Sequence, residues 1–178
     1  MPHVHEKIDF TVEVFVVHKN KVLLRKHDKH KIWLSIGGHI ELNEDPIEAA
    51  IREVKEEVNL DVEIFDGLQK FHYSDETYKE LIPPSFLNRH RISENHEHVT
   101  LTYFAKSYGD QVKQGNKEKS EKCRWFTMRE LDDPGFGIIK RVLFYAKSAI
   151  NTLGEPTSWS KGQNGRLEFS NSFHSISH

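Results

Sequence analysis

The chain has 178 residues, enough for one ordinary domain with an elaborated end, since domains most often run about 100–150 residues. Hydrophobic residues make up 37% and charged residues 29%, with 11 Phe, 3 Trp and 5 Tyr, so a packed core can form and wholesale disorder is excluded. Lys and Arg number 25 against 27 Asp and Glu, with no long block of one sign, which argues against a protein that lives on the phosphate backbone; no nucleic-acid partner is expected.

The single cysteine, Cys123, cannot form an internal disulfide, and the residues after Met1 lack the basic and apolar regions of a secretory signal. The expectation is a cytoplasmic protein. No apolar stretch approaches the ~20 residues needed to cross a bilayer, so no membrane association is expected.

In chain order, Phe10 to Val17 reads as a strand, followed after a tight turn by the β-type run Val22-Leu23-Leu24. Ile32 to Ile36 is another short apolar run that stops at Gly37-Gly38, where a backbone without Cβ can turn sharply or approach a ligand. The clearest local grammar comes next. Asp45 suits an N-cap, Pro46 the first helical position, and Glu48 completes a capping box. Ile47, Ile51, Val54 and Val58 then predict one buried stripe, and Asn59 a left-handed end, so the spacing predicts a helix over 46–58.

Asp61 to Phe65 and Leu68 to Tyr73 read as strands, and Ser74 to Glu97 as a long polar loop interrupted by Pro83-Pro84. Val99 to Lys106 is a strand, Gly109 to Lys119 a charged turn, and Lys122 to Phe126 a further short strand. Thr127 and Glu130 form a second capping-box signature opening a brief helix, and Ile138 to Leu153 carries the period of a long amphipathic helix. Residues 1–153 therefore form one domain. Residues 154–178 are a polar extension whose Trp159, Leu167, Phe169 and Phe173 are expected to dock on this molecule or on a second copy, making a homodimer.

Glu53, Glu56 and Glu57 stand at i, i+3 and i+4, so their carboxylates share one helical face. Like charges within one turn repel by a few tenths of a kcal/mol per pair, and a cation should offset them. Hard oxygen ligands at this density suit Mg²⁺ or Mn²⁺ together with substrate phosphate oxygens. Taken alone, the cluster reads more readily as a solvated acidic face.

The upstream context decides between these readings. From Gly38 the chain gives five residues, Glu44, seven residues, then Arg52-Glu53-Val54-Lys55-Glu56-Glu57-Val58-Asn59-Leu60. This resembles the 23-residue signature of the Nudix hydrolases at eight of its nine defined positions, Asn59 standing in place of the signature's final Gly just before Leu60. Ile36 replaces the Pro that commonly precedes the paired glycines. Trp125-Phe126-Thr127 with Glu130-Leu131 is similar to a further family element, which extends the resemblance over about residues 8–150.

The resemblance implies an α/β (α+β) fold, an α/β/α sandwich around a mixed sheet. It also implies metal-dependent hydrolysis of a nucleoside diphosphate linked to another moiety, water attacking phosphorus. Gly38, Glu53, Glu56 and Glu57 would bind the metal, Mg²⁺ or Mn²⁺, while Arg52 would hold a box carboxylate and Glu44 would support the loop. Glu97 stands where many members supply another carboxylate for metal binding or base catalysis, with Glu94 as its rival and Glu53 as the remaining base. The competing reading is a Nudix-fold domain that binds a nucleotide without cleaving it. His96 and His98 would share one face of a strand, but no third ligand stands at recognisable spacing, so no zinc site is expected.

Overall fold

The computed structural model describes residues 7–28, 31–113 and 120–155. The docking residues of the extension, Trp159 to Phe173, lie outside them. Strand β1 (Ile8–His18) is the axis of the molecule. One of its edges pairs antiparallel with β2 (Lys21–His27) at one end and with β4 (Ile36–His39) at the other. The second edge pairs in parallel with β7 (His96–Ser107), from Ile8 opposite Glu97 to Val17 opposite Lys106. The short β3 (Trp33–Leu34) and β8 (Ser120–Thr127) extend the β2 side, while β5 (Val62–Ile64) and β6 (Phe86–Ser93) flank β7. One parallel pairing among antiparallel ones makes the eight-stranded sheet mixed.

Alternation along β1 divides the core. Val12, Val14 and Val16 face helix α1 (Pro46–Val58) with Ala50, Val54 and Val58. Phe15 and Val17 face helix α3 (Lys140–Leu153), with Val142, Ala146 and Ala149. The short α2 (Met128–Leu131) packs through Leu131 on this second face, completing the three layers.

Helix α1 spans the range predicted from its caps. Asp45 accepts from the amides of Ile47 and Glu48 at 2.8 and 3.0 Å, the Glu48 carboxylate accepts from the Asp45 amide, and Asn59 closes the helix at φ 54°. Its buried side differs from the predicted stripe. Ile51 is 44% exposed, and Ala49 and Ala50 are buried beside Val54 and Val58. Small residues bring the helix axis close to the sheet, and this turns Glu53 and Glu57 toward the strands.

Three other expectations are corrected. Leu68 to Tyr73 is not a strand; this stretch leads into a turn closed by a single bridge between Ser74 and Lys79. The loop expected over 74–97 contains β6, paired with β7 from Phe86 opposite Thr102 to Ser93 opposite His96. The paired glycines do not end a strand but lie inside β4, Gly37 opposite Glu13 and Gly38 opposite Val12.

Candidate active site

The Gly-Gly pair is required by close approach on two sides. Gly37 has φ 149°, and a Cβ there would lie 2.9 Å from Glu13 Cα. A Cβ on Gly38 would lie 2.6 Å from Cδ of Glu53. The carboxylate of Glu53 thus occupies the volume that any other residue at position 38 would fill. This brings together Gly38 from β4 and Glu53 from α1.

Arg52 organises the acidic group. Its Nε and Nη2 donate to the two oxygens of Glu44 at 2.8 and 2.6 Å, while Nη1 reaches Glu53 at 2.8 Å and Glu56 at 3.5 Å. Nη2 also donates to the His39 carbonyl at 3.0 Å, fixing the end of β4. A fork of this kind is rigid and strongly held. Its bonds to Glu44 hold the guanidinium far above its usual range of titration, and they hold the Glu44 carboxyl below the ordinary value.

Glu57 is tied separately. Arg25 Nε lies 3.1 Å from its Oε2, and the Gly37 amide donates to the same oxygen at 3.4 Å. Glu53 and Glu57 are both buried, so they are not the solvated face that the bland reading required. Arg25 had no signal in the sequence, because β2 places it beside α1 only through tertiary packing.

These residues fit a divalent cation. Four carboxylates, Glu44, Glu53, Glu56 and Glu57, gather around the guanidinium groups of Arg25 and Arg52, a donor set of hard oxygens. The group also lies beside a backbone opened by the absence of a Cβ at Gly38.

Glu97 is not brought to this group. Arg89 Nε donates to its carboxylate at 2.9 Å and holds it below the ordinary range. Glu97 faces Ile8 across β1, whereas Gly38 faces Val12 on the other side, a Cα separation of roughly 16 Å from four residues of rise and two strand spacings. Glu94 lies in the turn between β6 and β7. Between Glu97 and the box runs an apolar groove of about 600 Å³, lined by Phe10, Ile40, Leu42, Leu87, Val99 and Leu101. The loop at its edge is tied to α1 by Lys79, whose Nζ lies 2.7 Å from Asp45 Oδ2.

The histidines outcome differs from expectation. His96 and His98 do share one face of β7, and the sheet adds His39 from β4 and Asp9 from β1 to the same spot, a group able to hold a metal ion. Burial and the surrounding imidazoles push His98 down to about 4.

Comparison with known proteins agrees with this geometry. A family model described as the NUDIX domain matches residues 8–145. A solved NUDIX-family hydrolase from Clostridium perfringens is 34% identical, with a TM-score of 0.71, covering 82% of this chain and 97% of its own. A MutT NUDIX hydrolase from Burkholderia pseudomallei has 17% identity and a TM-score of 0.58 over 83% and 99% of the two chains. An Ap4A hydrolase from C. elegans has 17% identity and a TM-score of 0.56 over 81% and 98%. These last two share the fold. No curated protein matches the chain. The chain belongs to the Nudix family, and it is a hydrolase acting on phosphoric anhydride bonds. Among the described residues, no helix is long and apolar enough to cross a membrane.

Proposed function

We propose that the protein is a divalent-metal-dependent pyrophosphohydrolase that cleaves a nucleoside diphosphate linked to a second moiety, with water attacking phosphorus. The observation that carries the reading is the complete acidic set Glu53, Glu56 and Glu57 beside Gly38, braced by Arg52. Glu53, Glu56, Glu57 and the Gly38 carbonyl would hold Mg²⁺ or Mn²⁺, which when bound neutralises charge developing on the diphosphate and lowers the pKa of water.

The chain's own groups do the remaining work. Arg52 is a positioning residue: by gripping Glu44 and Glu53 together it fixes the carboxylates relative to the end of β4. Glu53, against Gly38, is the proton acceptor for the attacking water. The groove between Phe10, Leu87 and Leu101 receives the organic part of the substrate, and Glu97, held by Arg89, stands two residues from the groove's Val99 on β7. Selectivity among substrates resides in this groove and in the loop held by Lys79, not in the box.

The test is a panel of nucleoside triphosphates, ADP-ribose, nucleotide sugars and dinucleoside polyphosphates, assayed with Mg²⁺ and with Mn²⁺ for released phosphate or nucleotide. Turnover of at least one nucleotide diphosphate derivative is expected, with ¹⁸O from labelled water appearing in a phosphate product. Label in a carbon-bound hydroxyl of either product, with none in phosphate, would overturn attack at phosphorus. Glu53→Gln should abolish turnover, and Glu97→Gln should alter KM more than kcat. A kcat loss confined to Glu97→Gln would move the base to Glu97.

A further inference from the structure

On the sheet face turned away from α1, three strands bring four metal-ligating groups to one place. Asp9 lies in β1, His39 in β4, and His96 and His98 in β7; the pairings of Thr11 with His39 and of Asp9 with His98 set them side by side. His39 Nε2 lies 3.2 Å from Asp9 Oδ2, and His96 Nε2 lies 3.5 Å from the same oxygen. His98 Nε2 is 3.0 Å from His96 Nε2, and all four ligand atoms lie within 4.8 Å of one another.

Those separations have a scale to be compared with. Zinc binds imidazole nitrogen and carboxylate oxygen at ~2.0–2.2 Å, so the edge of a tetrahedron of such ligands is ~3.3–3.6 Å. The contacts of 3.0 and 3.2 Å fall just short of that edge and the one of 3.5 Å lies within it, and rotation of the rings closes the wider gaps. We propose that Asp9, His39, His96 and His98 form a zinc-type site of three nitrogens and one oxygen, distinct from the carboxylate site of the box.

Ligand chemistry separates the two sites. Carboxylate and carbonyl oxygens favour Mg²⁺ and Mn²⁺, whereas three imidazoles favour a borderline ion such as Zn²⁺. Asp9 is fully buried, and a buried carboxylate is stabilised by a cation held beside it. Four protein ligands leave no open position for a substrate, so the ion is structural. It clamps β4 to β7 across β1. His39 couples the clamp to the box, since its carbonyl accepts from Arg52 while its ring belongs to the metal group.

The test uses the untagged full chain and Zn²⁺ alone, with bound metal measured after dialysis and affinity measured by competition with a chromophoric chelator. One Zn²⁺ per chain is expected in the wild type and in Glu56→Gln. Affinity should fall on the order of 100-fold or more in His39→Asn and in His98→Asn, beyond the 10–100-fold typical of losing a group that only supports a ligand. Unchanged affinity in both histidine variants, or loss in Glu56→Gln instead, would overturn the site. Because a histidine variant can misfold, wild-type protein loaded with Co²⁺ supplies an independent readout. The intense visible absorption of four-coordinate cobalt supports the proposal, and the weak spectrum of six-coordinate cobalt overturns it.

Discussion

The carboxylate of Glu53 rests against Gly38, so that a methyl group on Gly38 would lie 2.6 Å from its carboxyl carbon. The obstructing group is the end of a side chain, which can swing away, so Gly38→Ala should fold and displace Glu53. The expected result is a kcat loss on the order of 100-fold, about 2.7 kcal/mol, with a melting temperature close to wild type. At Gly37 the obstruction is backbone and φ is 149°, so Gly37→Ala should instead cost about 2–3 kcal/mol of stability. Thermal melts and kinetics on the pair separate the two; an active, stable Gly38→Ala protein would contradict the role given to Glu53.

Glu56 and Glu57 should be equally necessary for turnover but unequal for stability. Each Gln substitution is expected to lower kcat on the order of 10³-fold, about 4 kcal/mol. Glu57 is buried against Arg25, so Glu57→Gln leaves that cation poorly compensated, whereas Glu56 is a third exposed. Differential scanning calorimetry should show a clear drop in Tm for Glu57→Gln and little for Glu56→Gln. Equal melting temperatures would show that the Arg25 contact carries no stability.

The helix phase is checked by a second pair. Val54 is fully buried and Ile51 is 44% exposed. Val54→Asp should unfold the domain or lower its Tm by more than 10 °C through a buried, unpaired charge, while Ile51→Asp should leave it within a few degrees. The reverse order would mean that α1 is rotated about its axis.

A pH prediction follows from the cap of α2. The amide and hydroxyl of Thr127, together with Arg124, hold the Glu130 carboxyl down to about 2. The folded value is below the unfolded one, so this contribution is fully present above about pH 4.5 and is lost as the pH falls toward 2. Glu130→Gln should therefore lower Tm at pH 7 and flatten its fall between pH 4.5 and 2.5. A parallel fall in both proteins would remove Glu130 from the acid response.

How much of this was legible in the sequence depended on the range of the interaction. The caps at Asp45, Asn59 and Thr127 involve neighbours within four residues, and the box is contiguous, so both could be read directly. Strand β6 was hidden because its middle is polar on both faces: Asn88 and His90 alternate with Arg89 and Arg91 between Leu87 and Ile92, leaving no apolar period of two. The buried side of α1 was misread at Ile51 because large apolar residues attract the eye, while Ala49 and Ala50 make the contact. His39 and Asp9 join His96 and His98 only through strand register across β1, and spacing along the chain carries no trace of that.

A metal-dependent hydrolytic centre in the box makes turnover depend on both the ion and the carboxylates that hold it. Its most direct test is single-substrate turnover, on whichever nucleotide diphosphate derivative the panel selects, by wild-type and Glu56→Gln proteins with Mn²⁺, with Ca²⁺ and with excess chelator. Full turnover is expected only for wild type with Mn²⁺, with poor support by the larger and geometrically less demanding Ca²⁺ and none in chelator. Undiminished turnover in chelator, or by Glu56→Gln with saturating Mn²⁺, would contradict that dependence.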